Sequence, residues 1–109
     1  MKKGEIWLVD LPEGKGHEQK GARPALVLAS VNGLTIAVPL TSTFDAARFS
    51  YTEVLPARAE NGLKEDSVAL VFQTTALDNS RFGKHIGEIT REQCDAIDEL
   101  LKLLLKIGP

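Results

Sequence analysis

Short apolar runs separated by polar turn residues cover most of the chain. Asn32 and Gly33 stand between two of these runs, and both residues tolerate the positive φ of a type I′ turn, so they predict a tight β-hairpin. A polar segment containing Asn61 and Gly62 separates two later runs, and residues 74–82 are predicted to form a connector with one helical turn. The runs predict strands over residues 5–11, 23–31, 34–40, 49–55, 67–73 and 83–89.

The C-terminal segment has a different pattern. Thr90 followed three residues later by Gln93 is a capping-box signature, and no Pro or Gly interrupts the chain before Gly108. The segment is therefore predicted to be a helix. Its apolar residues are Cys94, Ile97, Leu100, Leu101, Leu103, Leu104, Leu105 and Ile107. So wide an apolar face predicts burial, either within this small domain alone or against a partner subunit as well.

The order of these elements predicts the fold class. Five or six short strands followed by one helix, without alternation of strands and helices, indicate a mainly β protein with a C-terminal α-helix. The expected architecture is a strongly bent antiparallel sheet or a small barrel. The chain has 109 residues, which is the size of one domain, so a single domain over 1–109 is expected.

Composition narrows the class of protein further. The sequence is 43% hydrophobic and 26% charged with a net charge of −2, which fits a globular domain. This balance gives no sign of a protein that coats nucleic acid by bulk charge, but it is compatible with a local basic site. Cys94 is the single cysteine and only two histidines accompany it, so neither an intrachain disulfide nor a zinc cluster is expected. The sequence shows no secretory signal pattern and no membrane-spanning apolar run, so a cytoplasmic location is expected.

Candidate chemistry is concentrated between the first two predicted strands. Within eleven positions, residues 14–24 hold Lys15, His17, Glu18, Lys20 and Arg23, together with three glycines. Histidine is the side chain that titrates near neutral pH, as acid–base catalysis requires. A solvated surface loop can have the same composition, so the loop alone does not decide between the two interpretations.

Arg23 and Thr41 stand at the ends of the predicted hairpin strands. Arg23 precedes Pro24 and is therefore biased towards extended backbone, and its planar guanidinium suits a phosphate group. The alternative is a surface ion pair with Glu18 or Glu53. If the chain turns at residues 32–33, Arg23 and Thr41 lie opposite each other at the open end of the hairpin.

Three sequence blocks at matching intervals carry a family resemblance. GEIWLVDLP at 4–12, GHEQKGARPALVL at 16–28 and VPLTS at 38–42 closely resemble the MazF/PemK/Kid family of toxin endoribonucleases. The likeness continues more weakly through residues 61–63, 66–68, Gln73 and 86–89, so it covers essentially the whole chain.

This resemblance implies a fold and an activity. The implied fold is a small SH3-like, partly open β-barrel that forms a homodimer. The implied activity is that of a toxin from a type II toxin–antitoxin system that cleaves single-stranded RNA, usually mRNA, at short sequences without a metal or other cofactor. In such a reaction the ribose 2′-hydroxyl attacks the adjacent phosphate and gives 2′,3′-cyclic phosphate and 5′-hydroxyl ends. The implied partner is an antitoxin whose acidic, disordered segment blocks the RNA groove.

The resemblance also implies roles for individual residues. Arg23 matches the catalytic arginine of the family and Thr41 the threonine that supports it, while Glu18 and His17 are candidates for general base and general acid in either order. The expected RNA-binding residues are Lys15, Gln19, Lys20, Ser42, Arg48, Gln73 and Arg81. Several family members carry an acid immediately before the glutamine that matches Gln73. Phe72 stands there in this sequence, and it could instead stack on a base.

Two other functions are compatible with the same fold. One is a non-catalytic binding module like the gyrase-inhibiting toxins of the CcdB type, and the other is a degenerate toxin that binds RNA or a partner without cleavage. The blocks that contain Arg23 and Thr41 favour the nuclease over the gyrase inhibitor. Phe72 keeps the degenerate toxin open as an alternative.

Overall fold

The computed structural model describes residues 1–11 and 22–108, which form seven strands, three short 3₁₀ helices and one α-helix. The strands are β1 (Glu5–Val9), β2 (Arg23–Val31), β3 (Leu34–Thr41), β4 (Thr52–Leu55), β5 (Ser67–Leu70), β6 (Thr75–Asp78) and β7 (Phe82–Glu88). The 3₁₀ helices span Phe44–Arg48, Val71–Gln73 and Asn79–Arg81, and α1 spans Arg91–Leu105.

The seven strands form one antiparallel, strongly bent sheet in the order β4-β5-β3-β2-β1-β7, with β6 paired to β3 off this path. Strand β3 produces the bend, because it pairs with β2 over most of its length and its last residues, Leu40 and Thr41, pair with β5. Among the described residues β4 and β7 do not pair with each other, so the sheet remains open. The predicted mainly β architecture with a C-terminal helix is confirmed.

The sheet has apolar residues on both faces. Because neighbouring residues of a strand point to opposite faces, alternate residues of β1 to β3 enter two different clusters. The larger cluster is covered by α1 and contains Ile6, Leu26, Val38, Leu40 and Ile97. The smaller cluster contains Val9, Ala25, Ala37 and Leu77, with Trp7, Leu11 and Phe82 packed against it.

Local sequence signals explain the hairpin and the helix. Asn32 and Gly33 have φ angles of 55° and 81°, as the predicted type I′ turn requires. At the start of α1 the Gln93 backbone N–H donates to the Thr90 hydroxyl at 3.0 Å, and the Thr90 N–H donates to the Gln93 side chain at 2.9 Å. This is the predicted capping box. Within α1 only Ile97 is fully buried, so the domain alone leaves much of the wide apolar face uncovered.

Several predicted boundaries were wrong. The strand predicted from residue 49 begins at Thr52, because Tyr51 has a φ of 61°, which extended backbone does not allow. The strand predicted over 67–73 ends at Leu70 and continues as a 3₁₀ turn, and the first strand ends at Val9. Residues 74–82, predicted as a connector, contain β6, which forms because it covers the exposed edge of β3.

The loop between β4 and β5 is held tightly against β7. The Asn61 side chain accepts from the backbone N–H groups of Arg58 (3.1 Å) and Leu63 (3.0 Å), and its amide donates to the Pro56 carbonyl at 2.9 Å. Gly87 packs directly against the backbone of Asn61, where a side chain would overlap it. This contact requires glycine at position 87.

Candidate nucleic-acid interface

Arg23 is the first residue of β2 and Thr41 is the last residue of β3, the strand next to it. The pairing of β2 with β3 ends with Leu26 opposite Val38 and Ala25 opposite Pro39, and the same register continued by two residues leads to Arg23 and Thr41. Paired residues in an antiparallel sheet share a face, so both side chains lie on the face that carries the smaller apolar cluster. Both residues are partly exposed, which leaves them accessible to a ligand.

The backbone on either side holds both residues in place. Arg23 also pairs with Val9 of β1, and Thr41 pairs with Val68 of β5. The Thr41 hydroxyl oxygen accepts a hydrogen bond from the Thr43 backbone N–H at 3.2 Å. Because the oxygen acts there as an acceptor, its proton remains available for donation to a ligand.

The ion pair considered for Arg23 is not seen. No carboxylate of residues 1–11 or 22–108 lies within 4.0 Å of the guanidinium, so the alternative with Glu53 was wrong. The other alternative partner, Glu18, lies outside the described residues. The carboxylates of the described residues therefore leave the five donors of this guanidinium to an incoming anion.

Five expected site residues, namely Lys15, His17, Glu18, Gln19 and Lys20, lie outside the described residues. The last described residue before them is Leu11 and the first after them is Ala22. Leu11 packs against the smaller apolar cluster, and Ala22 directly precedes Arg23. The two described residues that flank them therefore lie at the end of the sheet that carries Arg23.

A cleft of about 620 Å³ lies on the other face of the same strands. Pro24 and Leu40, the strand neighbours of Arg23 and Thr41, line it together with Ser42, and neither Arg23 nor Thr41 does. Lys64, Lys84 and His85 also line this cleft. Sequence reasoning missed these three residues, because they come from loops and strands that only the folded sheet brings together. Ser42, expected beside Thr41, is exposed and belongs to the cleft.

Arg48, Gln73 and Phe72 lie near one another on the surface. Phe49 and Phe72 have ring centroids 5.9 Å apart with an interplanar angle of 59°, and the Arg48 guanidinium lies 4.9 Å from the Phe49 centroid. Gln73 follows Phe72 and is exposed. Phe49 and Phe72 come from different segments of the chain, so the sequence did not indicate that their rings meet. Arg48 also pairs with Asp45 at 2.9 Å, but both groups are exposed, so this ion pair contributes little.

Arg81 is bound to the end of β1. Its guanidinium donates to the Asp10 carbonyl at 3.0 Å, and its backbone carbonyl accepts from the Asp10 N–H at 2.9 Å. The next residue, Phe82, pairs with Val9, which on its other side pairs with Arg23. Arg81 thus directly precedes β7, which is the second strand from the one that carries Arg23.

A cluster that the sequence did not indicate lies on β1 and β7. The Trp7 ring is stacked on His85, with centroids 5.3 Å apart and an angle of 17°, and its Nε1 donates to Glu5 at 3.0 Å. Hydrogen bonds from the Lys2 backbone N–H and from Trp7 lower the pKa of Glu5. The alternation of β1 places Glu5 and Trp7 on one face, but no local signal indicates the pairing with β7.

The described residues offer no metal site, since no group of three His, Cys, Asp or Glu side chains among them could hold an ion. Burial raises the pKa of the Cys94 thiol, which makes it a poor nucleophile. Within the described part of the chain, no helix combines the length and apolar character needed to span a membrane.

Comparison with known proteins identifies the family. A model of the family described as "PemK-like, MazF-like toxin of type II toxin-antitoxin system" matches residues 2–105. Endoribonuclease MazF9 of Mycobacterium tuberculosis is 31% identical over 117 residues, covering 98% of both chains. The Mycobacterium tuberculosis toxin MazF-mt6 has a TM-score of 0.76 at 21% identity, covering 96% of this chain and 99% of that one, which confirms the fold class.

A structure of MazE–MazF from Deinococcus radiodurans is 32% identical, with a TM-score of 0.73 and coverage of 96% of this chain and 94% of that one. The family match, the relative and the two solved structures each cover nearly the whole chain. The chain therefore belongs to the PemK-like, MazF-like family of toxins of type II toxin–antitoxin systems.

Proposed function

We propose that this toxin, acting as a single domain over residues 1–109, is a metal-independent endoribonuclease that cleaves single-stranded mRNA at short sequences. The observation that supports the proposal is that Arg23 and Thr41 end adjacent strands two residues beyond the pair Ala25–Pro39, in a register that leads to both of them. A guanidinium and a hydroxyl at the ends of adjacent strands can donate together to the oxygens of one phosphodiester. The relative from Mycobacterium tuberculosis, which is named an endoribonuclease, supports the same activity.

The proposed reaction uses the ribose 2′-hydroxyl as nucleophile. Its oxygen forms a bond to phosphorus while the bond from phosphorus to the 5′-oxygen breaks, so the products are a 2′,3′-cyclic phosphate and a 5′-hydroxyl. A base takes the proton of the 2′-hydroxyl and an acid gives a proton to the leaving oxygen. DNA lacks this hydroxyl, so the chemistry itself selects RNA.

In this reaction Arg23 binds the non-bridging oxygens of the phosphate, whose negative charge grows as the pentacoordinate transition state forms. Thr41 donates a hydrogen bond to the same group. Strand pairing holds the backbone of both residues in position, which reduces the entropy lost when the substrate is bound. Glu18 and His17 are the proposed base and acid, in either order.

The remaining RNA contacts are proposed for groups near this pair. Cationic and polar side chains around a local site bind a few nucleotides without the bulk positive charge that coating a long RNA would need. The proposed set comprises Lys15, Gln19, Lys20, Ser42, Arg48, Gln73 and Arg81.

The proposed partners follow from the family and from the uncovered helix face. The Deinococcus radiodurans structure is one of MazE with MazF, and a cognate antitoxin with an acidic, disordered segment is the proposed partner here. A second copy of the chain is proposed to complete the RNA groove as a homodimer. Because mRNA is the substrate, the proposed site of action is the cytoplasm.

A cleavage assay with end mapping tests the proposal. The purified protein is incubated with a long RNA in the presence of EDTA, and the termini of the products are identified. Cyclic phosphate and 5′-hydroxyl ends are expected, and Arg23→Ala is expected to abolish them while circular dichroism shows an intact fold. Arg91→Ala, which removes an exposed arginine at the start of α1, is the matched control and should cleave normally.

Undiminished cleavage by Arg23→Ala would remove this residue from the mechanism. RNA binding without cleavage by the wild-type protein would instead identify a degenerate toxin. Inhibition of gyrase without RNA cleavage would favour the CcdB-like alternative.

A further inference from the structure

Two exposed phenylalanines form a joint aromatic surface at one edge of the molecule. Phe49 is 48% exposed and Phe72 is 39% exposed, although their rings contact each other with centroids 5.9 Å apart. Large aromatic side chains are usually buried, so a pair that remains exposed indicates a surface with a binding role. We refer to Phe49 and Phe72 as the aromatic pair.

The backbone around the aromatic pair is well anchored. The Phe72 N–H donates to the Tyr51 carbonyl at 3.3 Å, and the Thr52 hydroxyl donates to the Phe49 carbonyl at 2.9 Å. Tyr51, between them, has the left-handed φ of 61°. Non-glycine residues adopt this conformation at a cost, which the surrounding hydrogen bonds must offset. The two rings are therefore presented by a defined turn.

The aromatic pair also lies close to the proposed cleavage site. Thr41 pairs with Val68 of β5, and β5 leads directly into the 3₁₀ turn that carries Phe72. From Val68 to Phe72 the chain spans at most about 13 Å, at roughly 3.3 Å per residue. Phe49 comes from the other side, because it ends the 3₁₀ helix that follows Thr41. A nucleotide near the cleaved bond can reach this surface.

The side chains beside the aromatic pair are suited to bind the phosphate and the base of a nucleotide. Arg48 lies over the Phe49 ring at 4.9 Å and is exposed, so it can neutralise a phosphate. Gln73, next to Phe72, is exposed and offers both a donor and an acceptor to the edge of a base. An aromatic face, a cation and an amide are the groups by which proteins recognise unstacked bases of single-stranded RNA.

We propose that Phe49 and Phe72 form a stacking subsite for one unpaired base of the RNA substrate, with Arg48 on the neighbouring phosphate and Gln73 on the base edge. This inference rests on the proposed ribonuclease function and assigns to that site a determinant of its sequence preference. An acidic peptide docking on the same surface is the competing occupant. Arg48 would serve either ligand, but two exposed aromatic rings beside an exposed amide favour a base.

The test is an abasic scan of a bound RNA. After the cleavage sequence has been mapped, a fluorescent oligonucleotide containing it is made with 2′-deoxyribose at the cleaved nucleotide, so that it binds without reacting. Each base is then removed in turn. Fluorescence anisotropy gives Kd for the wild-type protein and for Phe49→Leu, Phe72→Leu and Phe72→Trp. Phe44→Leu is the matched control, because Phe44 is a 51% exposed phenylalanine of the same segment.

At one position, removal of the base should weaken binding to the wild-type protein by about 5- to 150-fold. Phe72→Leu should bind the intact RNA correspondingly more weakly and lose almost nothing further when that base is removed. Phe72→Trp should retain the effect and Phe44→Leu should behave like wild type. The proposal fails if Phe49→Leu and Phe72→Leu bind the intact RNA with the wild-type Kd. It also fails if removing a base weakens RNA binding to these variants as much as to the wild-type protein at every position.

A protein ligand would give a different result. If Phe72→Leu weakened binding of the acidic antitoxin segment and left RNA affinity unchanged, the base subsite would be refuted. Failure of the ribonuclease proposal is also separable, since the wild-type protein would then not cut RNA. In that case a labelled, mixed-sequence 2′-O-methyl RNA is the probe, and equal Kd values for the wild-type protein and Phe72→Leu would refute the subsite independently.

Discussion

Arg23 and Thr41 end β2 and β3 two residues beyond the pair Ala25–Pro39, on the face of the sheet away from the cleft that Pro24 and Leu40 line. Both side chains thus belong to a surface on which no carboxylate of the described residues neutralises the guanidinium. This relationship supports a direct role in binding phosphate.

Two substitutions of Arg23 distinguish the contribution of its positive charge to cleavage from that of its planar guanidinium. Arg23→Ala is expected to lower kcat/KM for RNA cleavage by about 10²- to 10³-fold, the loss typical of removing a preorganised donor to a developing oxyanion. Arg23→Lys keeps the charge and loses the planar fork, so its loss should be smaller but clearly measurable. Steady-state cleavage of a short fluorogenic RNA measures both. Equal activity of the lysine and arginine enzymes would contradict bidentate binding.

Cleavage is expected to depend on the hydroxyl of Thr41 more than on the volume of its side chain. Thr41→Val keeps the volume and removes the donor, so cleavage should fall by about 10- to 100-fold, as expected for a lost hydrogen bond to a charged group. Thr41→Ser keeps the hydroxyl and should retain most of the activity. The same fluorogenic assay compares them. If the valine and serine variants lose activity equally, the hydroxyl is not the functional group.

Glu5 should make stability depend on pH in the acidic range. Its pKa lies below the ordinary 4.5 because its carboxylate accepts hydrogen bonds from the Lys2 N–H and from Trp7. A group whose pKa is lowered by folding contributes stability above its unfolded-state pKa and loses that contribution as the pH falls through its folded-state pKa. Urea unfolding between about pH 6 and pH 3 should therefore show wild type and Glu5→Gln converging on acidification. A constant difference would exclude this effect.

The contact between the β4–β5 loop and β7 should be sensitive to one methyl group. At Gly87 a Cβ would lie 2.5 Å from the Glu60 carbonyl oxygen, so Gly87→Ala should lower the free energy of unfolding by at least about 2 kcal/mol. Gly83 on the same strand is the matched control, because its Cβ would meet only the Leu8 carbonyl at 3.5 Å. Gly83→Ala should be nearly neutral in chemical denaturation, and equal losses at both sites would contradict the steric explanation.

The sequence by itself was sufficient wherever the deciding residues are neighbours in the chain. Asn32 and Gly33 determine the type I′ turn because both can adopt a positive φ. The turn determines the register beside it, from Val31 opposite Leu34 to Ala29 opposite Ile36, whereas an irregularity between Val27 and Ala29, which the sequence did not indicate, shifts the pairing beyond it by one residue. Thr90 and Gln93 likewise determine the start of α1 through two local hydrogen bonds.

Only the tertiary structure decided the contacts between distant segments. β6 has no clear strand pattern and forms because the edge of β3 has backbone groups that need partners. Phe49 meets Phe72 because the turn at Tyr51 and the end of β5 direct both rings to one place. Such contacts depend on which strand edges pair across the whole sheet, and residues close together in the sequence carry no information about that choice.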